Sequence, residues 1–433
     1  MLAPISSSFM RLSRSLLPLL VSGFVLPAAA QEVGGGSASA QASAPLVSVG
    51  YRDHALRFES RDGNFAAMLQ HRVQLRYAYP FDDDPRSFDD LAADESSFMI
   101  RRARLKLEGH AFRPWLAWYF QYDWAQPVLR DFSIEVKRFP WLRLLVGRRK
   151  VYFNDERLAS SGKQQFVNRS IVNDLFTVDR QQGIQVFGRL FADTPADLTY
   201  YAGVFTGRGV GVRLNDDLRM MYTARLQWNV LGGEMEFSQS DVELHARPVL
   251  NLAVAAATNV SGCTAFETDA RSCRALDTLR SDGMPFADPA VPGETRSGQF
   301  RADQLVAEGR FKWRGFYVKH ELHLKRVRER AIAPGEPGRS TVLRGHLTQL
   351  GWLPHGLIAA VPAPLEVAAR FALVDPARSV DSDWLTESSG VVNWFFAEHA
   401  NKLSVEVGWL TVDARDASSR GRTRVRVQWD VSF

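Results

Sequence analysis

The chain of 433 residues has little of what metal sites, disulfide scaffolds and hydrolases require. It contains two cysteines, and its nine histidines show neither the H-x-x-x-H nor the H-E-x-x-H spacing, so no metal is expected. It also lacks the G-x-S-x-G motif of hydrolases and a phosphate-binding P-loop. These absences predict a protein that is not an enzyme and carries no cofactor.

Long apolar runs are missing beyond residue 50, and the one that exists opens the chain. Arg11 and Arg14 precede an apolar run over 16–26, and small residues follow up to Ala30. This order is typical of a secretory signal peptide, which we predict over 1–30. A membrane anchor is disfavoured because two prolines and a glycine interrupt a run already shorter than the roughly 20 residues of a spanning helix.

The segment after the signal peptide differs in composition from the rest of the chain. Residues 31–50 are rich in glycine, alanine and serine, which predicts a flexible leader. The remaining domain, 51–433, has no second apolar segment of about 18 residues. The exported chain therefore either stays in the periplasm or crosses the outer membrane as strands.

What the chain has instead is alternation of apolar and polar residues, which is clearest in Arg422–Phe433. Val425 and Val427 share one parity, and Arg424 and Arg426 share the other. Successive side chains of a strand point to opposite faces, so this strand has an apolar face and a charged face. In a soluble sandwich the apolar face meets a second sheet, whereas in a membrane barrel it meets lipid and the charged face lines a wet lumen.

Sixteen such runs follow one another along the chain. They cover 64–79, 97–112, 115–125, 128–138, 142–148, 180–190, 197–207, 219–230, 248–258, 301–313, 315–328, 341–353, 364–375, 387–398, 401–412 and 422–433. Most connections alternate between short and long, as in transmembrane barrels, although 231–247 and 354–363 are long for periplasmic turns. The pattern predicts an all-β fold, a transmembrane antiparallel β-barrel of 16 strands in the bacterial outer membrane.

Several motifs between residues 97 and 191 are more specific than this pattern. They include F-M-I-R-R-A-R-L at 98–105, L-V-G-R-R-K at 145–150, E-R-L-A-S-S at 156–161 and R-Q-Q-G at 180–183. In this order they resemble the phosphate-selective porins of the O/P type. The resemblance implies a passive anion channel for phosphate or polyphosphate, a homotrimer, and a loop, here 150–178, folded into the lumen.

The polar parity of the strands carries more basic than acidic side chains. A basic lumen attracts anions, and arginine binds phosphate or carboxylate through its planar fork. With the loop, we expect the anion-binding lining to comprise Arg72, Arg76, Arg102, Arg104, Lys106, Arg157, Lys163, Arg169, Arg225, Arg310, Lys319, Arg424 and Arg426. The alternative is that these residues pair with lumenal acids and stiffen the wall.

The two cysteines support a second interpretation of the chain. Cys263 and Cys273 lie in the polar stretch 259–300 and predict a disulfide that closes an extracellular loop. A long closed loop favours an outer-membrane barrel with an enzymatic or adhesive role at its extracellular loops. Single-channel conductance would separate this alternative from a porin.

The expected partners follow from the barrel interpretation. They are anionic small solutes, outer-membrane lipid and lipopolysaccharide, and the barrel-insertion machinery, because the terminal aromatic Phe433 resembles the signal that such barrels present to it. Nucleic acid is not expected, since the basic residues alternate along strands and do not cluster on a helix.

Overall fold

The computed structural model describes residues 46–210, 212, 214–266, 273–274, 299–330, 340–381, 383–413 and 418–433. The predicted signal peptide, 1–30, and most of the predicted leader, 31–50, lie outside the described residues. None of the described helices combines the length and the apolar character that crossing a membrane as a helix requires.

The described residues form twenty strands in chain order. They are β1 (Val47–Arg52), β2 (Ala55–Ser60), β3 (Ala66–Tyr79), β4 (Ser97–Ala111), β5 (Arg113–Asp123), β6 (Val128–Phe139), β7 (Leu142–Lys150), β8 (Arg180–Leu190), β9 (Leu198–Phe205), β10 (Met221–Leu231), β11 (Val249–Ser261), β12 (Ala265–Phe266), β13 (Cys273–Arg274), β14 (Phe300–Trp313), β15 (Phe316–Glu329), β16 (Ser340–Trp352), β17 (Leu365–Asp375), β18 (Leu385–Ala397), β19 (Asn401–Asp413) and β20 (Ser419–Ser432). Three short helices accompany them: α1 (Phe88–Ala92), α2 (Asp155–Leu158) and α3 (Ile171–Phe176).

Sixteen of these strands, β3–β11 and β14–β20, form the wall of a closed antiparallel barrel. Consecutive wall strands pair with each other, and β20 closes the barrel by pairing with β3 from Val425↔Tyr79 to Ser432↔Arg72. The predicted sixteen-stranded barrel is therefore confirmed. We call the end where Phe433 lies the turn end and the opposite end the loop end.

The alternation of residue types explains why the wall has two different faces. On β19, Val405, Val407 and Trp409 are exposed on the outside, whereas Lys402 and Glu406 are buried inside. Inward charges of this kind need partners, because a buried and unpaired charge is costly. Those partners come from other wall strands, as Arg426 does for Glu406, and from segments that fill the lumen, as the carbonyl of Gln164 does for Lys402.

A hairpin that the sequence analysis did not predict continues the barrel seam. The lower part of β3 pairs with β2 from Leu56↔Leu69 to Glu59↔Ala66, and β2 pairs in turn with β1. Strand β1 starts at Val47, so the end of the predicted leader, 31–50, is strand and not a flexible segment.

The connection between β7 and β8, residues 151–179, enters the barrel from the loop end, and we call it the inserted loop. Its helix α3 places Ile171, Val172, Leu175 and Phe176 in a buried apolar cluster. The wall contributes inward-facing apolar side chains to the cluster, among them Leu343, Leu347, Val374, Leu410 and Val412. The predicted infolding of this loop is confirmed, and burial of these side chains holds it in place.

The connection between β10 and β11, residues 232–248, enters the barrel from the turn end, and we call it the turn-end insertion. Its Met235, Gln239 and Asp241 are buried in the lumen. The side chain of Gln239 accepts a hydrogen bond from the backbone N–H of Gln165 at 2.9 Å. The two insertions therefore touch each other inside the barrel, which accounts for the unexpected length of this connection.

Two glycines of β16 let the inserted loop approach the wall. A Cβ at Gly345 would lie 2.8 Å from a ring carbon of Phe176 and 3.0 Å from a methyl of Val172. A Cβ at Gly351 would lie 1.7 Å from the side-chain nitrogen of Gln165. Glycine inside a strand often marks such a close approach.

We predict that Gly345→Val destabilises the protein by about 1–3 kcal/mol, because the new side chain overpacks the contact between α3 and the wall. The matched control is Gly390→Val, since that glycine faces outward and its Cβ would meet only the carbonyl oxygen of Ala368, at 4.0 Å. Denaturant unfolding followed by tryptophan fluorescence measures both variants. Equal stability of the two variants would contradict the assigned packing.

Candidate functional site

The two insertions leave a passage beside the wall formed by β4–β8. A cavity of about 350 Å³ lies between this wall, the inserted loop and the tip of the turn-end insertion. Its lining comprises Arg102, Arg104, Lys106, Glu108, Tyr119, Gln121, Asp131, Leu145, Arg149, Lys150, Tyr152, Arg157, Leu158, Ser160, Ser161, Lys163, Arg169, Arg180, Glu236 and Phe237. We call this cavity the eyelet.

Two further cavities continue from the eyelet. One, of about 480 Å³, shares Glu108, Tyr119 and Arg149 with it and extends to Arg57 on the N-terminal hairpin. The other, of about 390 Å³, shares Tyr152, Glu236 and Phe237 with it. Both further cavities lie on the turn-end side of the eyelet, so the three together connect the eyelet with the turn end of the barrel.

The lining of the eyelet is strongly biased toward basic residues. It contains nine lysine and arginine side chains and three carboxylates, a difference of six. Within the part of the chain that the structure describes, Lys106, Arg149 and Lys150 form no ion pair. Lys106 donates to the Gln70 side chain at 3.3 Å, and the Lys150 amine donates to two loop carbonyls. The field at this point of the lumen is therefore positive.

One contact closes the eyelet between the two insertions. Lys163 of the inserted loop forms an ion pair with Glu236 of the turn-end insertion. The backbone N–H of Gln239 donates to the carbonyl of Lys163 at 2.8 Å beside it. Both charged side chains are exposed, at 38% and 60% of their surface, so they face the passage. Glu236 places a negative charge at the rim of a basic constriction.

The thirteen cations predicted from the sequence fall into two groups. Six of them line the eyelet: Arg102, Arg104, Lys106, Arg157, Lys163 and Arg169. Three of these six are paired as well: Arg104 with Asp123, Arg157 with Asp179 and Lys163 with Glu236. The other seven do not line the eyelet and face the lumen in ion pairs: Arg72 with Asp430, Arg76 with Asp82, Arg225 with Glu308, Arg310 with Asp155, Lys319 with Glu321, Arg424 with Asp84, and Arg426 with Glu406. Solute binding by the first group stays a prediction.

Three cations of the second group, together with Arg370, are tied to the inserted loop through wall carboxylates. Four glutamates each accept a backbone N–H of the loop: Glu308 from Asp155, Glu321 from Glu156, Glu406 from Val167 and Glu387 from Ile171. The same carboxylates pair with Arg225, Lys319, Arg426 and Arg370 of the wall. Paired and hydrogen-bonded charges of this kind hold a segment in one geometry.

Fourteen of the twenty lining residues are not among the predicted sites, and four of these bear most on the charge and shape of the eyelet: Arg149, Lys150, Glu236 and Phe237. Arg149 continues the inward parity of Arg143 and Leu145 on β7, so extension of the predicted run 142–148 by one residue would have identified it. Lys150 caps the carbonyls of Leu158 and Ala159 on the loop. Glu236 and Phe237 carried no signal, because a connection without alternation does not reveal that it folds inward.

The predicted disulfide lies at the loop end. Cys263 is buried and disulfide-bonded. Strands β12 and β13 pair antiparallel, with Phe266 opposite Cys273. Most of the predicted loop 259–300 lies outside the described residues.

A family comparison agrees with the motifs found in the sequence. Residues 72–235 match the family described as phosphate-selective porin O and P, which confirms the resemblance. A search of curated proteins gives no match.

Solved structures show the same barrel. The anion-selective porin from Comamonas acidovorans is 11% identical, with 85% of this chain and all of that chain covered and a TM-score of 0.52. The outer membrane channel DcaP of Acinetobacter baumannii is 11% identical, with 87% and 99% covered and a TM-score of 0.52. A trimer form of OmpT from Vibrio cholerae is 10% identical, with 85% and 99% covered and a TM-score of 0.51.

The loop that carries α1 yields a prediction on pH. Burial raises the pKa of Asp82, but attraction from Arg76, Arg426 and Arg101 outweighs it and lowers the pKa from 3.8 to about 2. A lowered pKa means that folding favours the carboxylate. Its contribution, roughly 2 kcal/mol, is therefore complete above pH 3.8 and is lost as the pH falls through about 2.

We expect protease protection of residues 80–96 to fall between pH 4 and pH 2, because Asp82 then loses its charge. Asp82→Asn should lower the protection already at pH 7, whereas Asp89→Asn should not, since none of the described residues forms an ion pair with Asp89. A protease active in acid, with cleavage sites mapped by mass spectrometry, measures the effect. Cleavage that is independent of both pH and Asp82 would refute the ion-pair anchor.

Proposed function

We propose that this outer-membrane porin, whose residues 72–235 resemble the phosphate-selective porins, is a passive diffusion channel that prefers anions such as phosphate or polyphosphate. The observation that carries the proposal is the eyelet, which nine basic and three acidic side chains line. A narrow pore with low-dielectric walls focuses such a field, so a few charges dominate selectivity. The basic residues act by raising the local anion concentration at the narrowest point.

The division of the lumenal cations supports this proposal. The seven predicted cations that do not line the eyelet all pair with carboxylates, so their charges largely cancel. Lys106 and Arg149 lie half-buried on the wall without an ion pair among the described residues. They are the cations that a passing anion meets in an accessible and uncompensated form. Binding there must stay weak enough for release on the other side.

We also propose that the chain forms a homotrimer in the outer membrane, with its apolar outer face in contact with lipid and lipopolysaccharide. Support comes from the trimer form of the structurally similar OmpT. Outward-facing aromatic residues near both ends of the barrel, such as Trp409 and Trp429, fit the two interfacial girdles of such proteins. Phe433 follows β20 at the turn end, where the insertion machinery would find it exposed.

The second candidate, an enzymatic or adhesive role at the extracellular loops, rests on the long loop 259–300. A porin must conduct without any added substrate, and this candidate need not. Purified protein in planar bilayers separates the two. Stable conductance steps support the anion channel if, under a KCl gradient, the reversal potential lies closer to the equilibrium potential of chloride than to that of potassium. Absence of conductance would favour the role at the loops.

We predict that Lys106→Gln lowers the chloride-over-potassium permeability ratio roughly threefold. A unit charge ~7 Å from the ion path contributes about 0.6 kcal/mol in a water-like dielectric, and screening by salt roughly halves this value. Chloride and potassium respond with opposite signs, so the two contributions add up to that factor. Arg149→Gln should act in the same direction.

The control for both eyelet variants is Arg344→Gln, because this arginine is exposed on the outside of the barrel. Reversal potentials under one KCl gradient give the permeability ratio of each variant. A similar ratio in the control and in both eyelet variants would remove these cations from the selectivity mechanism.

For Glu236→Gln we predict the opposite shift, toward stronger anion preference, because an exposed carboxylate leaves the rim of the eyelet. Glu243→Gln serves as its control, since this residue is exposed on the same insertion but does not line the eyelet. The same reversal-potential measurement compares the two variants. A permeability ratio as little changed in Glu236→Gln as in its control would show that the carboxylate is not part of the conducting path.

A further inference from the structure

Aromatic rings interrupt the basic lining of the passage on the side of β5–β9. Tyr152 stacks on Tyr201 with ring centroids 4.2 Å apart, and its centroid lies 5.4 Å from that of Phe187. Tyr201 and Phe187 are buried, so they form the backing of this group. Tyr152 and Phe237 are half-buried with centroids 6.1 Å apart, and both line the eyelet.

A third ring, Tyr119 of β5, lies on the same lining next to two cations. The guanidinium carbon of Arg149 lies 4.0 Å from the centroid of Tyr119. Among the described residues, the other side-chain partner of Arg149 is the hydroxyl of Ser133, at 3.4 Å. Lys106, on the neighbouring strand β4, also lines the eyelet. The eyelet therefore combines aromatic rings with two cations, Lys106 and Arg149, that form no ion pair with any described carboxylate.

These rings serve no purpose for a small inorganic anion. A phosphate ion gains from hydrogen-bond donors and positive charge, and an apolar ring face supplies neither. Aromatic faces instead attract planar rings through offset or edge-to-face contacts, and cations above a ring add to the attraction. The eyelet, at about 350 Å³, exceeds the roughly 150 Å³ that suffices for a benzene ring.

We propose that the eyelet binds aromatic carboxylates. The ring of the solute packs against Tyr119, Tyr152 and Phe237, and its carboxylate accepts hydrogen bonds from Lys106 and Arg149. This inference rests on the anion preference proposed above and narrows the class of solute. A few such contacts give weak binding, which a diffusion channel needs for release.

The rival explanation is that these rings only pack the inserted loop against the wall. It accounts for the buried Phe187 and Tyr201, whose removal would loosen β7–β9. It predicts no difference between aromatic and aliphatic acids, because packing within the protein does not depend on the solute. Current block by a series of carboxylates therefore separates the two explanations.

The test measures block of the chloride current in planar bilayers by sodium benzoate, cyclohexanecarboxylate and acetate. We expect benzoate to block at the lowest concentration, cyclohexanecarboxylate at a higher one and acetate at the highest. Tyr152→Leu and Phe237→Leu should each raise the half-blocking concentration of benzoate about threefold to tenfold. Their effect on acetate block should be small, and Tyr152→Phe should retain the benzoate block because it keeps the ring.

Tyr222→Leu is the matched control, because this tyrosine is exposed on the outside of β10. Equal block by benzoate and cyclohexanecarboxylate in the wild type would overturn the inference, as would unchanged benzoate block in both leucine variants. Reversal potentials recorded in the same bilayers keep the two proposals apart. If the wild type prefers chloride but benzoate and cyclohexanecarboxylate block it equally, only the proposed aromatic site is refuted. If the wild type prefers potassium, the proposed anion channel itself is refuted.

Discussion

The structure depends on wall carboxylates that bind the backbone of the inserted loop. Glu308, Glu321, Glu387 and Glu406 stand on β14, β15, β18 and β19, and each accepts an N–H of the loop while it also pairs with a basic neighbour. A buried glutamate without these two partners would be costly, and so would an orphaned N–H of the loop. The loop and the charged wall therefore stabilise each other, and neither is complete alone.

This coupling divides the lumen into two functional halves. On the side of β14–β20, wall carboxylates bind the backbone of the inserted loop and pair with basic neighbours, and α3 covers an apolar patch of the wall. On the side of β4–β8, the loop presents its basic residues to an equally basic wall. The turn-end insertion reaches the eyelet from the turn end of the barrel and adds Glu236 and Phe237 to its lining. The excess of basic over acidic lining residues is thus concentrated at a small opening, although basic residues occur around the whole barrel.

The sequence predicts the barrel well because the alternation of strand residues is a local property. Strand parity and the order of the motifs also placed the thirteen predicted cations in the lumen or on the loop. Parity could not distinguish the cations that line the passage from those that fasten the loop. Arg225 and Arg102 occur in equally alternating runs, but Arg225 pairs with Glu308 of a non-adjacent strand, whereas Arg102 lines the eyelet.

Other features of the fold could not be predicted from the sequence, and the reason differs from element to element. Leu343 and Leu347 lie on the inward parity of β16, where alternation predicts polar residues, because α3 and not water covers them. The N-terminal hairpin turns at Asp53 and His54, both with positive φ, and its second position holds a histidine where such a turn usually has glycine. Long-range contacts decide these positions, and a single sequence does not contain them.

The central claim is that solutes pass on the side of β4–β8, through a basic opening, while the opposite side is closed. Single cysteines at Ser160, half-buried in the eyelet, and at Ser404, buried under the loop, test it most directly. A small anionic thiol reagent and a cationic one of equal size report access and charge preference through the change in current. The account predicts that Ser160→Cys reacts faster with the anionic reagent and that Ser404→Cys stays unreactive. Faster reaction of Ser160→Cys with the cationic reagent, or equal reactivity at both positions, would contradict it.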